Sequence, residues 1–111
     1  MTDRLLGGLE HVVLLAVLNL EGEDCYAVPI RKLIEERGGR TVSRGALYTV
    51  LDRLESKGYL DSSLGHSSTL RAGKPKRLYL VTPLGISALR LSRSTLADLS
   101  QGVEAILEAK Q

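Results

Sequence analysis

A chain of 111 residues fits one small domain. Its 43% hydrophobic and 25% charged residues, with four Tyr and no Phe or Trp, are those of an ordinary soluble globular protein whose core is built from Leu, Val, Ile and Ala. The lone Cys25 excludes an intrachain disulfide framework and a four-cysteine zinc site. The net charge of +2 does not by itself mark a nucleic-acid binder, because the placement of charge decides that.

Residues 5–20 are expected to form a first helix, with Leu9, Val12, Val13, Ala16, Val17 and Leu20 at helical spacing. Leu14, Leu15 and Leu18 extend the apolar surface nearly all round, so this helix needs burial on more than one side. A second copy of the chain could supply one of those sides, with Leu9 and Val13 in the shared surface. The longest apolar run is Val12 to Leu18, well short of the roughly 20 residues a membrane span needs. The opening MTDRLLGGLEH carries Asp3 and Glu10 and lacks a small-residue cleavage site, so no secretory signal is expected and the expected location is the cytoplasm.

Residues 26–37 predict a second helix with Ile30, Leu33 and Ile34 inward. Pro29 fits its first turn, Arg37 its last, and Gly38 and Gly39 stop it. Residues 43–57 predict a third, capped by the Ser43 hydroxyl, with Leu47, Val50, Leu51 and Leu54 buried and Gly58 at its end. YLDSSL and KRLYLV then read as two short strands, joined by GHSSTLRAGKP, a Gly/Ser-rich connection.

Thr82 and Pro83 open a final helix. Along it Leu89, Leu96, Leu99, Val103 and Ile106 follow heptad-like steps, with Ser92 as one polar gap. The simplest account is half of a helix–helix dimer, the alternative a helix folded back on its own domain. The chain is thus expected to divide into residues 1–82, a DNA-binding domain, and 83–111, a dimerisation helix that forms one compact unit with the first helix.

Three helices, a hairpin and a helix make a mainly α fold with a small β-hairpin: a winged helix-turn-helix plus a C-terminal dimerisation helix. The third helix is then the recognition helix and the hairpin the wing. VSRGALYTVLDRLESKGYL and GKPKRLYLVTPLGISAL resemble the PadR-like transcriptional regulators. The matching residues are Val42, Ser43, Leu47, Tyr48, Leu51, Arg53, Leu54, Glu55, Gly58, Gly73, Tyr79, Thr82 and Gly85. One departure is YAVPI at 26–30, where the family has a tyrosine, glycine, tyrosine, glutamate, isoleucine run. The resemblance implies a DNA-binding repressor, dimeric through a short final helix, that answers to small apolar or aromatic effectors; no effector-binding residue can be named.

Opposite the buried stripe, the third helix presents Arg44, Gly45, Tyr48, Thr49, Asp52 and Ser56. Its N-terminus offers free N–H groups and partial positive charge to phosphate. Arg44 can bind phosphate or a guanine edge, or stand solvated. Tyr48 can reach a phosphate, or lie over the core, and Thr49 can reach a base. RAGKPKR, 71–77, holds four basic residues and no acid; on a wing, such bases meet phosphates or the minor groove. The expected DNA-binding set is therefore Arg40, Ser43, Arg44, Tyr48, Thr49, Lys74, Lys76 and Arg77. The expected dimerisation set is Leu9, Val13, Leu89, Leu96, Leu99, Val103 and Ile106.

His11 reads as structural or interfacial, His66 as exposed, and Cys25 as a non-catalytic thiol. Neither histidine has carboxylates or thiols at ligand spacing, and no phosphate loop is present. No enzyme, metal or cofactor is expected. The partner expected is double-stranded DNA with a palindromic operator, bound by a homodimer. The competing expectation is a winged-helix protein-interaction module, since fold alone does not fix function.

Overall fold

In the computed structural model, residues 5–22, 24–65 and 76–111 are described. They form α1 (Gly8–Leu20), α2 (Ala27–Gly38), α3 (Arg44–Ser56), β1 (Leu60–Leu64), β2 (Arg77–Val81), α4 (Pro83–Ser100) and α5 (Val103–Ala109). This is the helix, helix, helix, hairpin, helix order of a winged helix-turn-helix, as the sequence spacing predicts.

α1 is the central pillar because it is apolar on most sides. Val13, Leu14 and Val17 are fully buried, and the helix touches α2, α3, β2 and α4. Its N-terminus lacks a capping hydroxyl. Instead Glu10 reaches back and its Oε1 accepts from the Gly7 N–H at 3.0 Å, which satisfies one of the free first-turn donors. The other oxygen, Oε2, accepts from Lys57 Nζ at 2.7 Å, and so ties the start of α1 to the end of α3. Burial pushes the Glu10 carboxyl up, but the Lys57 and Gly7 hydrogen bonds and the Lys57 and Arg53 charges outweigh it, and the carboxyl titrates below its ordinary range.

α2 and α3 form the helix-turn-helix. Gly39 leaves α2 in the left-handed conformation, φ 63°, and donates to the Glu35 carbonyl. The turn is pinned by Arg31, whose Nε donates to the Val42 carbonyl at 3.0 Å. Ser43 caps α3, its Oγ accepting from the Ala46 N–H at 3.1 Å. Leu47, Leu51 and Leu54 are completely buried.

The hairpin pairs Leu60 with Val81, Ser62 with Tyr79 and Leu64 with Arg77. An open strand edge leaves N–H groups unpaired; here the loop before α2 supplies acceptors. Tyr79 N–H donates to the Cys25 carbonyl at 2.9 Å, and Val81 N–H to Glu21 Oε2 at 3.2 Å. The free edge of β2 is thereby fixed to the body at two points.

Thr82 locks the hairpin to α4. Its Oγ1 accepts from the Gly85 N–H at 3.0 Å and donates to the Gly58 carbonyl at 2.6 Å. A side chain at position 85 would collide with the Tyr59 carbonyl oxygen and the Val81 methyl, so glycine is required there by close approach rather than by backbone angle.

Three features differ from the sequence expectation. The last segment is two helices, not one: Gln101 is extended and Gly102 takes φ 75°, which breaks the ladder between α4 and α5. Val13 and Leu89, expected in a dimer surface, are 0% and 3% exposed within the chain's own core, because α4 packs its first half on α1. Ser92 is not a gap in a stripe. It is 1% exposed, and its Oγ accepts from the Leu6 N–H at 2.9 Å, so the polar position fastens the segment before α1 to α4.

Candidate nucleic-acid interface

With its leucines committed to the core, α3 turns Arg44, Gly45, Tyr48, Thr49 and Asp52 to solvent. Nothing lies within 4 Å of where a side chain on Gly45 would begin, so the first turn presents bare backbone. Among the described residues, Arg44 and Thr49 have no hydrogen-bond or ion-pair partner in the fold. Arg40 is exposed in the turn just ahead. Ser43 sits at the same end, with its hydroxyl engaged as the cap.

Tyr48 lies on the outward face of α3. It is 41% exposed, yet it borders a cleft of about 430 Å³ between the start of α2, the outward face of α3 and the wing root, with Tyr26, Val28, Asp52, Leu64, Lys76, Arg77 and Tyr79 around it. Tyr79 closes the floor. Burial, opposed by the Arg77 charge, pushes its hydroxyl up to about 12, so it stays neutral.

The wing root brings two of the expected bases to this cleft. The Lys76 ammonium stands 4.3 Å from the centre of the Tyr26 ring, within cation–π range. Arg77 donates from Nη1 to Ser62 Oγ at 2.8 Å, and Ser62 Oγ donates to Glu55 Oε2 at 2.7 Å. Lys74 lies outside the described residues, as do His66 and Gly73.

Sequence spacing misses some of this surface. Arg31, Lys32 and Thr41 border a second groove of about 200 Å³ on the outer side of α2, with Val28, Glu35 and Val42. The two adjacent bases in the middle of α2 are the available signal. Tyr26 and Glu55 are visible in the sequence only as pattern matches; that they seat the wing bases depends on strand register.

Of the residues expected to be structural, Cys25 is buried and His11 half-buried. The Cys25 thiol donates to the Val17 carbonyl at 3.5 Å, and burial pushes it up to about 11, so it is no thiolate nucleophile at neutral pH. His11 has a buried Nε2 without a partner among the described residues, and burial with the nearby Arg93 charge lowers its pKa. No group of three or more metal-ligating side chains occurs among the described residues. No helix among them is long and apolar enough to cross a membrane.

Comparison with known proteins points one way. The model of the transcriptional regulator PadR-like family matches residues 14–91. The transcriptional regulator Rv3488 of Mycobacterium tuberculosis is 39% identical over 67 residues, which cover 60% of this chain and 59% of that protein. Among solved structures, a PadR family regulator from Eggerthella lenta superposes with a TM-score of 0.68 at 29% identity, covering 90% of this chain and 86% of that one. One from Clostridium difficile gives 0.69 at 25%, covering 87% and 97%.

Proposed function

The chain belongs to the PadR-like family of transcriptional regulators, a family of regulators and not of enzymes, and from that premise we propose that it is a dimeric, sequence-specific DNA-binding repressor released by a small-molecule effector. The observation that carries the DNA-binding part is the outward face of α3. Among the described residues the side chains of Arg44, at the α3 N-terminus, and Thr49, further along its outward face, stand exposed and without a partner, flanked by a wing root where Lys76 and Arg77 are already held in place. Arg44 and Thr49 supply base-edge contacts. Arg40, the α3 N-terminus and the wing bases Lys74, Lys76 and Arg77 supply phosphate contacts. A regulator working on DNA in this way acts in the cytoplasm.

The dimer part is supported by what the C-terminal segment leaves uncovered. Leu96 is 51% exposed, Leu99 74%, Ile106 54% and Leu107 53%, and α5 buries none of its residues. A seven-residue helix is marginal without packing, so a second copy is its natural cover. With Val13 and Leu89 already used inside the chain, the dimerisation set narrows to Leu96, Leu99, Val103 and Ile106, with Leu9 at its edge. Two-fold symmetry then calls for a palindromic operator with half-sites about 34 Å apart or a multiple.

The effector part is supported by a groove of about 360 Å³ between α1, α2 and α4. Its walls are Val12, Leu15, Ala16, Leu33 and Ile34, and Arg37 and Arg93 stand at its rim. Such a lining suits a small apolar or aromatic molecule.

Selection of bound DNA from a random pool tests the reading. A palindrome should emerge, and Arg44→Ala should relax the preference at one base position per half-site, at a cost of about 1–3 kcal/mol. Recovery of no sequence, with retention of a protein partner by the same face, would replace the repressor with a protein-interaction module.

A further inference from the structure

We infer that Glu55 and Ser62 are positioning residues for DNA binding: they form a relay that holds the Arg77 guanidinium ready for a phosphate. This rests on the DNA-binding reading and names residues within it that no sequence pattern assigns a role.

The chemistry of the three groups fixes the direction of the relay. A carboxylate only accepts, a guanidinium only donates, and a serine hydroxyl has one proton to give. Ser62 must therefore point its proton at Glu55 Oε2, at 2.7 Å, and its lone pair at Arg77 Nη1, at 2.8 Å. Both bonds have a charged partner, which makes them stronger than neutral ones. Glu55 is on α3 and Ser62 on β1, opposite the buried Tyr79 on the inward face of the hairpin. Arg77 begins β2. The relay thus ties the root of the wing to the reading helix.

A direct ion pair would do something different. A carboxylate touching Arg77 would neutralise it, and a phosphate would have to displace that carboxylate. Among the described residues the ion pair present is Lys57 with Glu10; Glu55 acts on Arg77 through the hydroxyl alone. One guanidinium nitrogen is thereby engaged, and the other donors have no partner in the described fold. They border the cleft shared with Tyr48 of α3. An arginine fixed before binding loses less freedom when the phosphate arrives.

The salt dependence of DNA binding separates the phosphate contact from the relay that prepares it, because its slope counts phosphates neutralised while preorganisation changes the affinity at a given salt. Affinity for one selected duplex is measured from low to moderate salt with the full chain and its variants, the active fraction of each being titrated against the same duplex. Arg77→Ala should weaken binding and flatten the slope by about 0.9 for each phosphate left without its cation. Ser62→Ala, which leaves every charge in place, should keep the wild-type slope and weaken binding by about two- to tenfold at each salt concentration. Glu55→Ala should weaken binding in the same way at moderate salt, where the loss of a negative charge is screened, and Ser62→Thr, which keeps the hydroxyl, should restore the wild-type affinity. Ser62→Ala with Arg77→Ala should do no more than Arg77→Ala alone, and the selected sequence should not change in any variant. Wild-type affinity in Ser62→Ala overturns the relay, as does a wild-type slope in Arg77→Ala. A wild-type protein without salt-dependent binding overturns the DNA-binding reading itself, and that is seen before any variant is made.

Discussion

Leu51 and Leu99 are both leucines on a helical stripe, and they end in opposite environments. Leu51, in α3, is fully buried by α1 and its neighbours, whereas Leu99, near the end of α4, is 74% exposed. The difference runs through the whole molecule. Among the described residues from α1 to the first half of α4, the main apolar stripes, with Val13, Leu14 and Val17 on α1, Ile30 and Ile34 on α2, and Leu89 on α4, are buried inside the chain. From Leu96 onward the same kind of stripe is left uncovered. Periodicity identifies a face that must be buried; it does not say against what.

The most forceful way to break the comparison is to truncate a leucine on each side of it. Leu51→Ala removes a fully buried side chain and should cost about 2–5 kcal/mol of unfolding free energy, read from the denaturant midpoint. The loss should be about the same at any protein concentration, because the packing is made within one chain. The mass of the proposed dimer should survive wherever the domain is still folded.

Leu99→Glu should do the reverse. It places a charge where a second copy is expected to pack, and should weaken association by on the order of 2 kcal/mol, about thirtyfold in the dimer dissociation constant. Light scattering should find the mass falling toward that of one chain on dilution, while the helix content of the winged-helix body holds. An unchanged mass at every concentration would move the covering partner elsewhere.

The same contrast sets what the sequence makes legible. The stripe Leu47, Val50, Leu51 and Leu54 is legible because its period belongs to the helix itself, and the caps Ser43 and Thr82 because their chemistry is local. Val13 and Leu89 are assigned the wrong partner by spacing: a helix that is apolar nearly all round does not say which side meets its own domain. The break at Gly102 is hidden because the spacing of Leu99, Val103 and Ile106 continues across it, although a glycine in mid-helix is a signal. Ser92 passes for a flaw because its partner, the Leu6 N–H, is 86 residues away in sequence. In the site, Arg44 and Thr49 follow from helix geometry alone. The wing bases are visible as charge, but their seating on Tyr26 and Ser62 needs a strand register that no local pattern encodes.

Acid sharpens the comparison with the smallest effects, and both fall on the finished half. Glu10 is held below its ordinary 4.5 by Lys57 and Gly7 against the opposing push of burial. A carboxyl depressed in the folded state contributes stability above its unfolded value and loses it as pH falls through the folded one. His11 is also depressed, from 6.5, by burial and by Arg93. For a base the unfolded chain then binds the proton more readily, so stability begins to fall as pH drops below that value and stops falling below the folded one. The unfolding free energy should therefore decline on acidification, with the His11 contribution beginning first, below 6.5, and the Glu10 contribution last to be lost. His11→Leu should remove the first contribution. Glu10→Gln should remove the second and cost roughly 1 kcal/mol at neutral pH, since Lys57 is partly exposed and solvent screens the pair. Because the Glu10 carboxylate is bound to Gly7 and Lys57 and so joins α1 to the end of α3, Glu10→Gln should leave the mass of the proposed dimer as it was. A shift in that mass would mean that the start of α1 also holds the partner chain.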